Sequence, residues 1–166
     1  MKTDENLKAA FAGESQANRK YIAFSRKAEK EGYLQVAKLF RAAAEAETVH
    51  ALNHFRVIGE ISATSDNLKA AKKGEVYENT IMYPDFIKDA ESESRKKAII
   101  TFTYANKVEK VHSQLYQKAI EAVQTGKDLE KTDYFVCQTC GYTVGKDAPE
   151  VCPVCGALQT QFKKTN

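Results

Sequence analysis

No stretch of this 166-residue sequence is apolar for long enough to span a bilayer. The opening residues, Met1-Lys2-Thr3-Asp4-Glu5-Asn6, also lack the apolar core of a secretion signal. Both features point to a cytoplasmic protein with no membrane partner. Proline is nearly missing from the long first part, where Pro84 stands alone, so little there interrupts helix. Cysteine is missing altogether before Cys137, which excludes disulfides from most of the chain. The four cysteines present crowd together as Cys137-x-x-Cys140 and Cys152-x-x-Cys155. Without a secretion signal, that pattern argues for a metal rather than disulfides. A large excess of one charge is lacking too. The formal net charge is +3, acids and bases are interspersed, and Lys96-Lys97 and Lys163-Lys164 are isolated pairs on solvated faces, so a nucleic-acid partner is not expected.

What is present divides the chain. With 43% hydrophobic and 28% charged residues, it has the composition of an ordinary globular protein, of a length for one domain and a small appendix. Ala, Glu, Lys, Leu and Gln dominate residues 1–127. Residues 128–133 are a short charged connector, and residues 134–166 turn to Val, Thr, Tyr, Gly and Pro with short strand-like pieces. The first part reads as four helices. These are 4–31, stopped near Gly32; 33–59; a third, capped by Ser65 or Asp66, reaching Ala90 with a kink or break at Pro84; and a fourth, capped by Ser92 or Ser94, ending near Gly126.

Each helix has an apolar seam, and each seam carries acid. Leu7, Ala10, Phe11, Ala17 and Phe24 share theirs with Glu14 and Tyr21. Val36, Phe40, Ala43, Ala44, Ala51 and Val57 flank Glu47, His50 and His54. Leu68, Ala71 and Met82 align with Glu75 and Glu78, and Ala98, Phe102, Ala105, Val108, Leu115 and Ala119 with Glu109 and His112. A buried carboxylate without compensation is costly, so this many acids on buried faces require cations. Two E-x-x-H motifs, Glu47/His50 and Glu109/His112, place each pair one turn apart on one helix face. Glu14 lies 33 positions before Glu47, and Glu75 and Glu78 lie 34 and 31 before Glu109. That weak repeat suggests two helical hairpins related by a pseudo-twofold, with the motifs face to face.

Di-iron and di-manganese bundles use one Glu from each of two helices and Glu-x-x-His from each of the other two. On that pattern Glu14, Glu47, Glu109, His112 and one or both of Glu75 and Glu78 are ligands, with His50 a ligand in at least one redox state. Iron or manganese suits these donors. His54, one turn beyond His50, reads as a core histidine or one supporting a ligand. Tyr21 and Tyr83 read as core aromatics whose hydroxyls are hydrogen-bonded.

The tail is too short to fold on its apolar core alone, and a metal would supply the missing stability. Cys137, Cys140, Cys152 and Cys155 offer four thiolates. Gly141 and Gly156 allow the tight turns, and Tyr134, Val136, Tyr142, Val151 and Phe162 offer a small core. Four thiolates hold zinc or iron alike. Zinc would make a structural ribbon and iron a one-electron carrier; attachment to a redox-active bundle turns the reading toward iron.

Over essentially its whole length the chain resembles the rubrerythrin family. The resemblance is carried by F-A-G-E-S-Q-A-N around Glu14, A-E-A-E-T-V-H through His50, G-E-V-Y-E-N-T-I-M-Y-P-D-F, E-K-V-H, C-Q-T-C-G-Y and C-P-V-C-G. It implies an all-α, ferritin-like four-helix bundle with a non-haem di-iron centre, followed by a small metal-stabilised, rubredoxin-like β domain holding one iron on four cysteines. It further implies a peroxidase that reduces hydrogen peroxide to water as oxidative-stress defence in an anaerobe or microaerophile. Glu47 and Glu109 would bridge the irons, Glu14 and Glu75 would be terminal ligands, and His112 would bind the iron near Glu75. The other iron would exchange Glu78 for His50 on reduction, and Tyr21 and Tyr83 would hydrogen-bond to ligand carboxylates. Electrons would come from an external rubredoxin or an NAD(P)H-dependent reductase. The protein would be a homodimer or larger, with one subunit's tail beside the other's bundle. Two rival readings are a ferritin-like oxidase or iron store, and a zinc-ribbon binding module on a helical bundle.

Overall fold

The computed structural model describes residues 1–165; Asn166, the last residue of the expected tail, lies outside them. The chain forms two compact units, Met1–Ser62 and Ala63–Asn166. The first is a hairpin of helices α1 (Lys2–Lys30) and α2 (Leu34–Ile58). Its turn depends on Gly32, whose φ of 84° lies in the left-handed region that glycine enters without a Cβ penalty. Small residues allow the helices to approach closely. Ala37, Ala44 and Ala51 recur every seventh position of α2 and are buried, as are Asn18, Ser25 and Ala28 of α1. The expected stripe on α2 holds at Phe40, Ala43, Ala44 and Ala51, which are buried or half-buried, and fails at its two valines. Val36 and Val57 are exposed, because the alanines rather than the valines line the hairpin.

The second unit begins with α3 (Thr64–Tyr77), a π turn (Glu78–Met82), α4 (Tyr83–Ser92) and α5 (Lys96–Gln124). The expected third helix is thus continuous in direction but wound in three pieces. Pro84 has no N–H to donate to a carbonyl one turn back, and the winding widens just before it, with Tyr83 N–H donating to the Glu78 carbonyl. The expected serine and aspartate caps do not form. Ala63 and Arg95 precede α3 and α5 without side-chain caps. Ser65 lies inside α3, Asp66 pairs with Lys69 at 3.0 Å, the Ser92 hydroxyl donates to the Asp89 carbonyl, and Ser94 takes a positive φ in the link.

The tail forms a three-stranded antiparallel sheet, β1 (Tyr134–Cys137), β2 (Thr143–Gly145) and β3 (Phe162–Lys164), in the order β2-β1-β3. Tyr142 and Phe162 meet edge to face with ring centroids 6.4 Å apart, whereas Val151 is exposed rather than in the small core. Within this unit the tail rests on α5. Gly141 approaches Val108, and a Cβ on that glycine would lie 3.8 Å from a Val108 methyl. Thr143 reaches His112, one turn further along α5. The architecture is the expected one of four long helices, the third interrupted, followed by a small β domain. No helix among the described residues is long and apolar enough to cross a membrane.

Candidate metal centres

Three groups of metal-ligating side chains come together, each with donor atoms within 4.8 Å of one another: Glu14, Glu47 and His50; Glu75, Glu109 and His112; and the four cysteines. In the first unit α1 supplies Glu14 and α2 supplies the E-x-x-H pair, whose His50 Nδ1 lies 2.9 Å from Glu47 Oε2. A buried amide fixes this register. Asn18, one turn after Glu14, donates to the Ala44 carbonyl at 2.7 Å and to the Thr48 hydroxyl at 2.8 Å. Beyond it Tyr21, Phe24 and Phe40 pack as a trio of rings. Glu47 is largely covered while the His50 side chain is 54% exposed, so His50 has room to move. His54 is half-buried and belongs to none of the three groups.

In the second unit α3 supplies Glu75 and α5 supplies the pair. His112 Nδ1 lies 2.9 Å from Glu109 Oε2 and 3.7 Å from Glu75 Oε2. Asn79 of the π turn donates to the backbone and side-chain oxygens of Asn106 at 2.8 and 2.7 Å. Burial raises the Glu75 pKa to about 7, helped by a hydrogen bond and charge repulsion from Glu109 and opposed by His112. Burial also raises Glu109, with the charge of Glu78 adding to it and a hydrogen bond from Glu75 opposing. Glu78 is raised by burial and by Glu75; it stands near the group without joining it. Tyr83 and Tyr116 are pushed up by burial and then by these carboxylates, which places both hydroxyls in their field. A cavity of about 390 Å³, lined by Leu68, Leu115, Tyr116, Ala119, Leu129 and Tyr134, opens onto Glu75, His112 and Thr143. Crowded acids whose carboxyl pKa values are raised, beside an imidazole, form a donor set that a hard or borderline divalent cation would relieve of its repulsion.

The tail repeats one knuckle twice. Gly141 N–H donates to the Cys137 carbonyl and Gly156 N–H to that of Cys152, at 2.8 and 2.9 Å, while Cys137 and Cys152 N–H donate to Tyr142 and Ala157. Both glycines have the positive φ this turn needs. The sulfurs interleave across the knuckles, Cys137 Sγ 3.7 Å from Cys155 Sγ and Cys140 Sγ 3.6 Å from Cys152 Sγ. Burial pushes the Cys137 thiol up, but backbone N–H donors at Thr139 and Cys140 outweigh it and hold the pKa at about 7. Burial raises Cys140 and Cys155. Four sulfurs at such spacing fit one tetrahedral metal.

The ligand candidates were legible as seams. Asn18, Thr48, Asn79, Asn106, Tyr116 and Thr143 were not identified from sequence. Asn18 and Asn79 did leave a signal, since each stands four positions after a seam glutamate.

Known proteins agree with this geometry. The family model for rubrerythrin matches residues 5–120, and that for the rubrerythrin rubredoxin-like domain matches residues 135–163. The chain is 38% identical to the rubrerythrin of Porphyromonas gingivalis, over 99% of this chain and 92% of that protein. It is equally identical to rubrerythrin-1 of Clostridium acetobutylicum, over 98% and 93%. Among solved structures, partially reduced nigerythrin superposes with a TM-score of 0.59 at 34% identity, covering 98% of this chain and 86% of that one. The ferritin-like fold, its carboxylate–histidine di-iron site and the four-cysteine rubredoxin-like site follow together: the chain belongs to the rubrerythrin family.

Proposed function

We propose that this protein is a peroxidase that reduces hydrogen peroxide to water with electrons passed through its four-cysteine iron site. As an oxidoreductase of the rubrerythrin family it has both parts such a reaction needs. The observation that carries the reading is the joining of a carboxylate–histidine centre to a thiolate site in one unit, with the tail seated against α5 beside His112. Cleaving the O–O bond takes two electrons and two protons. A bound iron pair supplies the two electrons and the Lewis acidity that polarises the oxygens.

The residues take the following parts in this proposal. On the family pattern, Glu14, Glu47, Glu75, Glu109 and His112 would hold the two irons. Glu78 and His50 would be alternative ligands of one iron, as the family resemblance implies. In the metal-free chain burial and Glu109 raise the Glu75 pKa to about 7, a cost that a bound cation would relieve. Tyr83, its pKa raised by burial and by the charges of Glu109, Glu78 and Glu75, would pass protons, and Tyr21 would hydrogen-bond to a ligand carboxylate. Cys137, Cys140, Cys152 and Cys155 hold a single iron whose tetrahedral thiolate shell changes little between redox states. Residues 1–127 form the di-iron domain, 128–133 the linker and 134–166 the electron-carrying domain.

An external rubredoxin or NAD(P)H-dependent reductase refills the tail, and the working form is a homodimer or larger. A cytoplasmic setting suits four free cysteines poised as metal ligands. The test is an anaerobic titration. Iron-loaded protein, reduced to a known number of electrons, should consume one peroxide per two electrons and release no dioxygen. Consumption without loss of stored electrons would indicate disproportionation instead.

A further inference from the structure

The Thr143 hydroxyl sits between two groups that the family reading uses separately. His112 Nε2 lies 3.0 Å from Thr143 Oγ1, and that hydroxyl lies 3.0 Å from the Gly141 carbonyl, to which it donates. A hydroxyl has one hydrogen. With that hydrogen given to Gly141, the oxygen accepts from His112, an arrangement that puts an imidazole proton on Nε2 and frees Nδ1, otherwise paired with Glu109, for a cation. A neutral ring then carries its lone pair on Nδ1, the nitrogen 2.9 Å from Glu109 and 3.7 Å from Glu75. Gly141 is itself held to the first knuckle by donating to the Cys137 carbonyl, and it packs near Val108, one turn from His112 on α5.

We infer that Thr143 is a positioning residue: its hydroxyl locks His112 in the tautomer that presents Nδ1 to a metal, and ties that imidazole to the Cys137–Cys140 knuckle. This rests on the reading of His112 as a metal ligand, but not on peroxide being the substrate. Metal-binding histidines commonly donate their second N–H to an oxygen that fixes the ring, and losing such a partner typically weakens metal binding by about 10–100-fold. Here the fixing oxygen comes from the electron-carrying domain rather than from the helices.

The test uses full-length, zinc-loaded protein labelled with ¹⁵N-histidine, compared as wild type, Thr143→Val and Thr143→Ser. Valine keeps the shape without the hydroxyl, and serine keeps the hydroxyl. In wild type the His112 spectrum should show the proton on Nε2, exchanging slowly with water. Thr143→Val should speed that exchange by about tenfold or more and speed zinc loss to a chelator in the range just given; Thr143→Ser should restore both. A backbone spectrum of each variant confirms that the tail remains folded. Unchanged Nε2–H exchange in Thr143→Val, or a proton found on Nδ1 in wild type, would overturn the inference. Failure of peroxide reduction in the iron-loaded wild type would instead overturn the proposed activity and leave this result standing.

Discussion

Glu14 and Asn18 on α1 stand to Ala44, Glu47 and His50 on α2 as Glu75 and Asn79 stand to Asn106, Glu109 and His112 in the second hairpin. The asparagine reaches across to the same place in both, the residue three before the E-x-x-H glutamate. The ring trios match as well. Phe24 and Phe40 are 5.6 Å apart, as are Phe86 and Phe102, and Tyr21 and Tyr83 each lie 6.2 Å from the trio's later phenylalanine. The offset between the hairpins is 61 positions from Glu14 to Glu75 and from Asn18 to Asn79, but 62 from Tyr21 to Tyr83 and from Phe24 to Phe86. The π turn at Glu78–Met82 takes up that one extra residue. At the position of Ala17 in the first hairpin, the second carries Glu78. Among the differences between the two versions are one inserted residue and one added carboxylate, both beside the candidate metal ligands. Single-residue π insertions recur at functional positions because they re-aim side chains without ending the helix.

The comparison can be broken in several ways. The largest effect should come from removing equivalent ligands. Glu47→Ala and Glu109→Ala should each lower iron affinity of the carboxylate centre by more than ~100-fold, beyond the range of an outer-sphere partner. Metal analysis should then show that the tail iron is retained. Loss at one position only would deny the halves equal standing. Glu78→Ala, which makes the second hairpin resemble the first, should keep the carboxylate centre loaded while reducing peroxide turnover by about 10–100-fold; unchanged turnover would leave the added carboxylate without a role.

Smaller effects test the scaffold. Asn18→Ala and Asn79→Ala each remove an inter-helix clamp and leave carbonyl groups without their donor. Each should cost about 1–3 kcal/mol in chemical denaturation of the metal-free protein. Very unequal costs would mean that the two clamps are alike in geometry only.

A pH dependence tests the second hairpin alone. Glu75 is raised from the ordinary 4.5 to about 7 in the metal-free fold. The native state therefore binds more protons than the unfolded one between these values, and metal-free stability should fall as pH rises from about 4.5 to about 7. A bound cation should flatten or reverse that slope, since it holds the carboxylate ionised. Denaturation at pH 5 and pH 8, with and without metal, reads the sign directly.

Much of this was legible in the sequence because the metal-ligating groups obey helical spacing. Glu14, Glu47, His50, Glu75, Glu109 and His112 fall on seams, and within each hairpin the seam residues come together as one carboxylate–histidine group, with Glu78 beside the second rather than in it. The paired C-x-x-C knuckles were equally readable, since their chemistry is local. The π turn was not, because one inserted residue barely disturbs a 3.6-residue period and Pro84 supplied a plainer reason for irregularity. On α2 the expected stripe was right at Ala44 and Ala51 but wrong at its valines: hydrophobicity favours Val36 and Val57, whereas close helix approach selects small residues and adds Ala37 instead. Thr143 could not be found from sequence, since its partner lies 31 positions away in another element and only tertiary packing joins them.

The central claim is that peroxide oxidises the carboxylate centre and that the thiolate iron feeds it. It is tested most directly by reducing the iron-loaded protein without oxygen, mixing it rapidly with hydrogen peroxide or with dioxygen, and following the Fe(III)–thiolate absorption. Fast return of that colour with peroxide and slow return with dioxygen is the predicted result. Equal or faster return with dioxygen would contradict it and indicate an oxidase.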